Sequence, residues 1–132
     1  MLRISLRDGE KVVVNGAVLK AVGRTDLLVE NQVSILRGRQ VMKPEEATTP
    51  ARQLYFHTIM AYVDTADSED HQDRIVEALE KVMVMLPTEE AGAVSLNFAR
   101  HVAQLQFYQA LSDCRQLMRL ETEAFEGLSA AA

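Results

Sequence analysis

The chain has 132 residues, 48% of them hydrophobic and 25% charged, with a single cysteine, a composition that fits one compact domain or two small lobes sharing a core. Lone Cys114 cannot form an internal disulfide, so nothing points to an oxidising compartment, and the cytoplasm is the expected location. Residues 2 to 7 alternate apolar and polar instead of offering a signal-peptide core, and no apolar run approaches the ~20 residues that a membrane span needs.

The formal net charge of −5 hides an asymmetry. Residues 1–43 hold eight basic and four acidic residues, whereas residues 44–132 hold six basic and fifteen acidic ones. Such a split points to an anionic partner for the first half, against the plainer alternative that these charges are solvated faces.

In the first half, Leu2, Ile4 and Leu6 alternate with Arg3, Ser5 and Arg7, which as a strand puts the arginines on one face. Asp8-Gly9 predicts a turn. The β-branched run Val12-Val13-Val14 leads into Asn15-Gly16, the dipeptide that suits a type I′ hairpin, so residues 17–22 return as the partner strand. Two short runs follow around Glu30-Asn31, and Arg37-Gly38-Arg39 turns into a last extended piece at Val41-Met42. Four to six antiparallel strands with one apolar face are expected, and that face needs a cover.

In the second half, Thr49 is placed to cap a helix with Pro50 at its first position, and Leu54, Tyr55, Ile59, Tyr62 and Val63 recur at helical spacing. Glu45 and Glu46 have a structural role open to them as acids just before that positive helix end. The polar run of residues 64–73 ends the first helix. A second fits 72–86, with Ile75, Leu79, Val82 and Leu86 on one face. Thr88 caps a third carrying Ala91, Val94, Phe98, Val102 and Leu105 on one side, and a fourth runs from Phe107 to about Phe125, with Gly127 just past its end and the remainder frayed. The expected fold class is α+β: a small, mostly antiparallel N-terminal β unit (1–43) packed against a C-terminal bundle of about four helices (44–132), sharing one core.

No glycine-rich phosphate loop occurs, and His57, His71 and His101 sit in separate elements, so no cofactor and no metal site are expected. The acidic cluster around His71 reads as a solvated loop rather than a cation site. Cys114 on an apolar helix stripe reads as a small core residue; pairing with His101 as a nucleophile would need a contact that the sequence does not display. The chain is not expected to be an enzyme.

The residues that remain are basic. Arg3, Arg7, Lys11, Lys20, Arg24, Arg37, Arg39 and Lys43 form a candidate RNA-binding patch that would contact phosphates and give salt-dependent affinity. All seven aromatics lie in the helical half, so such a surface would work by charge, hydrogen bonding or shape and not by stacking bases. The competing class is a protein-binding module, in which helices carrying Met60, Met83, Met85 and Met118 engage a partner.

Residues 2–19, 27–37, 42–56 and 107–121 together resemble the FlbT family of flagellum biosynthesis repressors, most specifically at GEKVVVNGAV and PEEATTPARQLYF. That resemblance implies a cytoplasmic post-transcriptional regulator that binds the 5′ untranslated region of flagellin mRNA, represses its translation and promotes its decay. It also implies a protein partner, the flagellin-synthesis regulator FlaF. Some family members act positively on flagellar genes, so the alternatives of a positive regulator, or of action through FlaF, stay open. Asp8 departs from the family pattern, standing where proline is common before Gly-Glu.

Overall fold

Asn15 and Gly16 both adopt positive φ, +49° and +86°, the pair of left-handed residues that a type I′ turn requires. They close the hairpin between β2 (Lys11–Val14) and β3 (Ala17–Lys20). In this computed structural model, residues 2–31, 33–64 and 66–131 are described, with side chains at all of them except 68 and 128–131. The chain divides into two compact units, residues 1–41 and 42–132.

Among its described residues the first unit holds five strands in two sheets. β1 (Leu2–Leu6) pairs antiparallel with β4 (Thr25–Val29), while β2 lies between β3 and β5 (Ile35–Arg37). Ile4 and Leu6 of β1 meet Val12 and Ala21, flanked by Val14, Leu27, Val29 and Ile35. The strand count and antiparallel pairing match the expectation, but the single apolar face is corrected. The two sheets enclose this cluster between them, and Val13 and Leu36, paired on the other face of β2 and β5, are buried as well, so the three-stranded sheet is apolar on both faces. Leu2, expected inward, is exposed at the strand end. After the single 3₁₀ turn at Gly38–Gln40, Val41 is extended (φ −81°, ψ 131°) as expected, although residues 41–43 are not part of a strand.

The second unit is helical. α1 (Pro50–Val63) begins as expected: Thr49 Oγ1 accepts from the Arg52 N–H and proline occupies the first turn. α2 (Ser68–Met85) starts four residues earlier than the spacing predicted, inside the polar run. Glu69 and Asp70 in its first turn complement the positive helix end, which is why a stretch that resembles a loop in composition is helical. Thr88 caps α3 (Glu89–Ala103) by accepting from the Ala91 N–H, as expected. Leu105 does not continue α3's buried side. It takes φ +58° in a reversal where Leu105 N donates to Val102 O and Gln106 N to His101 O, the paired bonds of a Schellman ending, so its side chain is exposed. α4 (Phe107–Ala131) runs on through Gly127. A glycine inside an exposed helix costs only about 1 kcal/mol, and its neighbours favour helix. α1 packs between α2 and α4, and α3 packs on α4.

Buried polar groups fasten these helices. Glu121 of α4 accepts from the Ala51 N–H at 2.9 Å and from the Thr49 hydroxyl, capping the start of α1. Glu46 serves a nearer turn, accepting from Lys43 N at 3.0 Å, so it is Glu121 that occupies the role open to Glu45 and Glu46. His101 Nδ1 lies 2.5 Å from Asp113 Oδ2, joining α3 to α4. His71 Nε2 lies 2.9 Å from Asp64 Oδ2, joining α2 to the end of α1.

Candidate functional site

The β unit carries an open groove of about 990 Å³ lined by Ser5, Leu6, Arg7, Asp8, Gly9, Glu10, Arg24, Arg37 and Arg39. Four arginines and two carboxylates share this lining, and no aromatic does. Each arginine is delivered by an identifiable local device.

Arg7 and Arg24 are 17 positions apart in the chain and meet because two loops are tied together. Asp8 Oδ1 accepts from the Gly23 N–H at 2.7 Å, and the Gly9 N–H donates to Ala21 O at 2.8 Å. Both Gly9 and Gly23 hold positive φ there, +80° and +77°, which L-residues adopt only at a cost. Asp8 therefore does by hydrogen bond what a proline at that position could do only by stiffness.

Arg37 ends β5, opposite Val12. Its Nη2 donates to Ser5 O at 2.8 Å and to Glu10 Oε2 at 3.0 Å, linking β5 in one sheet to the β1 backbone in the other. Glu10 in turn accepts from the Arg7 backbone N–H at 3.0 Å. That bond chiefly, with the Arg37 guanidinium adding to it, holds the Glu10 carboxyl below its ordinary range. Gly38 lies so close to β2 that a Cβ there would stand 3.2 Å from Lys11 O, and this close approach sets the turn that carries Arg39.

Arg37 is thus engaged internally, and the other three differ. Arg7, Arg24 and Arg39 are exposed and form no ion pair among the described residues. Three exposed guanidiniums around one groove can hold phosphate oxygens, since each offers a planar fork of donors.

Of the eight predicted residues, the structure brings together Arg7, Arg24, Arg37 and Arg39. Arg3 is not among them: it lies on the outer face of β1, 3.5 Å from Asp26. The Asp26 carboxyl is held low, first by a 2.8 Å hydrogen bond from Ser5 Oγ and then by the Arg3 charge. Lys11 and Lys20 face each other across the β2–β3 hairpin, also outside the groove lining. Lys43 belongs to the helical unit. Ser5, Asp8, Glu10 and Gly38 were not singled out by sequence reasoning as parts of a site; the turn signals at Asp8-Gly9 and Arg37-Gly38-Arg39 hinted at two of them.

The alternative chemistries weighed on the sequence meet different surroundings. Cys114 is buried beside Thr58, Sγ to Oγ1 3.7 Å, and burial pushes its thiol far up, while His101 pairs with Asp113 instead. Among the described residues no group of three or more His, Cys, Asp or Glu could hold a metal ion. No helix among them is long and apolar enough to cross a membrane. Of the four methionines weighed for partner binding, Met83 is exposed and Met60, Met85 and Met118 are partly buried.

The fold is α+β, with a β unit that gathers arginines around one groove and an acidic helical unit, a make-up open to binding an anionic ligand. More particularly, the chain belongs to the FlbT family: the family model described as "Flagellar protein FlbT" matches residues 2–125. It is 35% identical over 123 residues to the "Probable flagellum biosynthesis repressor protein FlbT" of Caulobacter sp. (strain K31), covering 92% of this chain and 94% of the relative. It is 34% identical over 123 residues to the "Flagellum biosynthesis repressor protein FlbT" of Caulobacter vibrioides (strain ATCC 19089 / CIP 103742 / CB 15), covering 92% and 87%. The Mesorhizobium japonicum relative, "Probable flagellum biosynthesis repressor protein FlbT", is 29% identical over 126 residues, covering 96% and 86%. No solved structure matches.

Proposed function

We propose that this protein is a flagellar repressor that acts after transcription, holding the 5′ untranslated region of flagellin mRNA against the arginine groove of its β unit and so lowering translation and promoting decay. The observation that carries this reading is the set of exposed arginines, Arg7, Arg24 and Arg39, around one groove, in a chain whose relatives are named flagellum biosynthesis repressors. Phosphates supply the negative partners that these guanidiniums lack among the described residues, and the absence of aromatics from the lining fits recognition by backbone and fold of the RNA. The location that goes with this role is the cytoplasm, and the role is regulatory rather than catalytic.

The experiment is a gel shift of purified full-length protein against a flagellin leader and a scrambled control, repeated across salt concentrations. The expected result is preferential leader binding that weakens as salt rises. Equal binding of both RNAs, or none, overturns the reading.

A second reading, action through a protein partner such as FlaF or with a positive effect on flagellar genes, draws support from α2, where Val76, Met83 and Val84 are exposed along one side of the helix. Leader binding that appears in the same assay only when FlaF is added favours this version.

A further inference from the structure

Among the described residues β3 is an edge strand, with β2 on one side and no strand on the other. All four of its residues are exposed, Val18 at 64% and Leu19 at 48%, and Val22 just beyond is 91% exposed. The hairpin fixes which backbone groups are free. In a two-residue type I′ hairpin the residues flanking the turn, Val14 and Ala17, bond to each other, so Leu19 also bonds inward and Val18 and Lys20 point their N–H and C=O groups away from β2. The Asn15 N–H bond to Ser34 O at 2.8 Å and the Ala21 N–H bond to Glu10 O at 2.9 Å keep this alternation.

An apolar edge with unsatisfied backbone groups is a template for a further strand. The charges say which kind. Lys11 and Lys20 are directly opposite each other on the Val13–Val18 face, and neither forms an ion pair among the described residues. Like charges at facing positions destabilise a sheet. A second copy pairing through β3 would bring another Lys11 and Lys20 to the same face and worsen that repulsion. An incoming strand with a carboxylate there relieves it.

We propose that the β3 edge docks an extended segment of a protein partner in which apolar residues alternate with Asp or Glu, adding a fourth strand to the β3–β2–β5 sheet. The main-chain groups of Val18 and Lys20 hold the segment's backbone, Leu19 meets its apolar side chains on one face, and Lys20 with Lys11 meets its carboxylates on the other. This surface is separate from the arginine groove, whose lining contains none of these residues.

The test uses full-length protein and a fluorescein-labelled decapeptide of alternating valine and glutamate, followed by fluorescence anisotropy and by amide hydrogen exchange. Binding is expected, with slowed exchange at Val18 and Lys20. Val18→Pro removes an outward N–H without touching the β2 ladder, and Lys20→Glu reverses the charge; each is expected to weaken binding at least about five-fold, the loss of one hydrogen bond or charge contact. A peptide with lysine in place of glutamate, or one N-methylated along its bonding edge, is expected to fail against unaltered protein. Equal binding of the glutamate and lysine peptides, or unchanged binding by Lys20→Glu, overturns the proposal. So does self-association of the free protein that Val18→Pro abolishes, which would assign the edge to a second copy. Protection of Val18 and Lys20 by leader RNA but not by peptide would assign it to nucleic acid and equally overturn the proposal.

Discussion

The two units use charged side chains in opposite ways. In the helical unit the acids that stand out are inward: Glu121 and Asp113 are buried, one capping α1 and the other pairing with His101. In the β unit the arginines stand outward, and only Arg37 is drawn into the structure. A buried carboxylate with its donors in place is part of the scaffold, because removing it strands those donors away from water. An exposed cation without a partner adds little to the fold and is available to a ligand. The net charges of the two halves are therefore poor guides by themselves; position decides which charges hold the protein together and which face a partner.

The sharpest way to break this comparison is at Glu121. Glu121→Ala leaves the Ala51 N–H without its acceptor and exposes the start of α1 to a cavity, and the expected loss is about 3 kcal/mol of stability. Urea unfolding followed by circular dichroism at 222 nm checks it; a loss below about 1 kcal/mol would mean that Thr49 alone suffices as the cap.

The complementary experiment replaces Arg7, Arg24 and Arg39 together with glutamine. Stability is expected to hold within about 0.5 kcal/mol, since exposed substitutions away from structural contacts change little. Leader affinity is expected to fall on the order of 30-fold near physiological salt, and the salt slope to shrink by about 2, from roughly 0.7 per phosphate contact on a single strand. Arg37→Gln lies between these extremes. It removes two hydrogen bonds from a half-buried guanidinium and is expected to cost about 1–2 kcal/mol, which would appear as a lower urea midpoint and faster exchange of β-unit amides. If Arg37→Gln instead behaved like the triple variant, with binding lost at constant stability, its assignment as a structural link would be wrong.

How much of this could be read beforehand depends on the reach of each contact. Asn15-Gly16, Thr49-Pro50 and Thr88 carry their signals within four residues, and the hairpin and two helix starts followed from them. The two-sheet core did not, because β1 finds β4 and β2 finds β5 across intervening strands, and alternation alone does not say which faces meet. The Glu121 cap acts over 70 positions and no local pattern marks it. At the site, basic residue types were legible but their grouping was not. Arg3 and Arg7 share a face in a strand carried to residue 7, yet β1 ends at Leu6 and Arg7 turns with the Asp8 loop towards Arg24.

The smallest effect expected is in acid, and it separates the scaffold of the groove from its ligand-facing part. Glu10 and Asp26 both have carboxyls held below their ordinary values of 4.5 and 3.8, the first chiefly by the Arg7 backbone N–H and the second chiefly by Ser5 Oγ. A group depressed in the folded state binds its proton more readily when unfolded, so its contribution is complete above the unfolded value and is lost as pH falls through the folded one. Stability of the β unit from these two groups is therefore expected to be flat from neutral pH down to about 4.5 and to decline below it. In Glu10→Gln the upper part of that decline disappears, because the glutamine carbonyl still accepts from the Arg7 N–H but carries no charge to lose. Amide exchange of Val12 and Val14 across pH 3–7, corrected for intrinsic rates, reads this directly. A decline that begins above pH 5, or one that Glu10→Gln leaves unaltered, would show that Arg37 holds the two sheets together without help from the Glu10 charge.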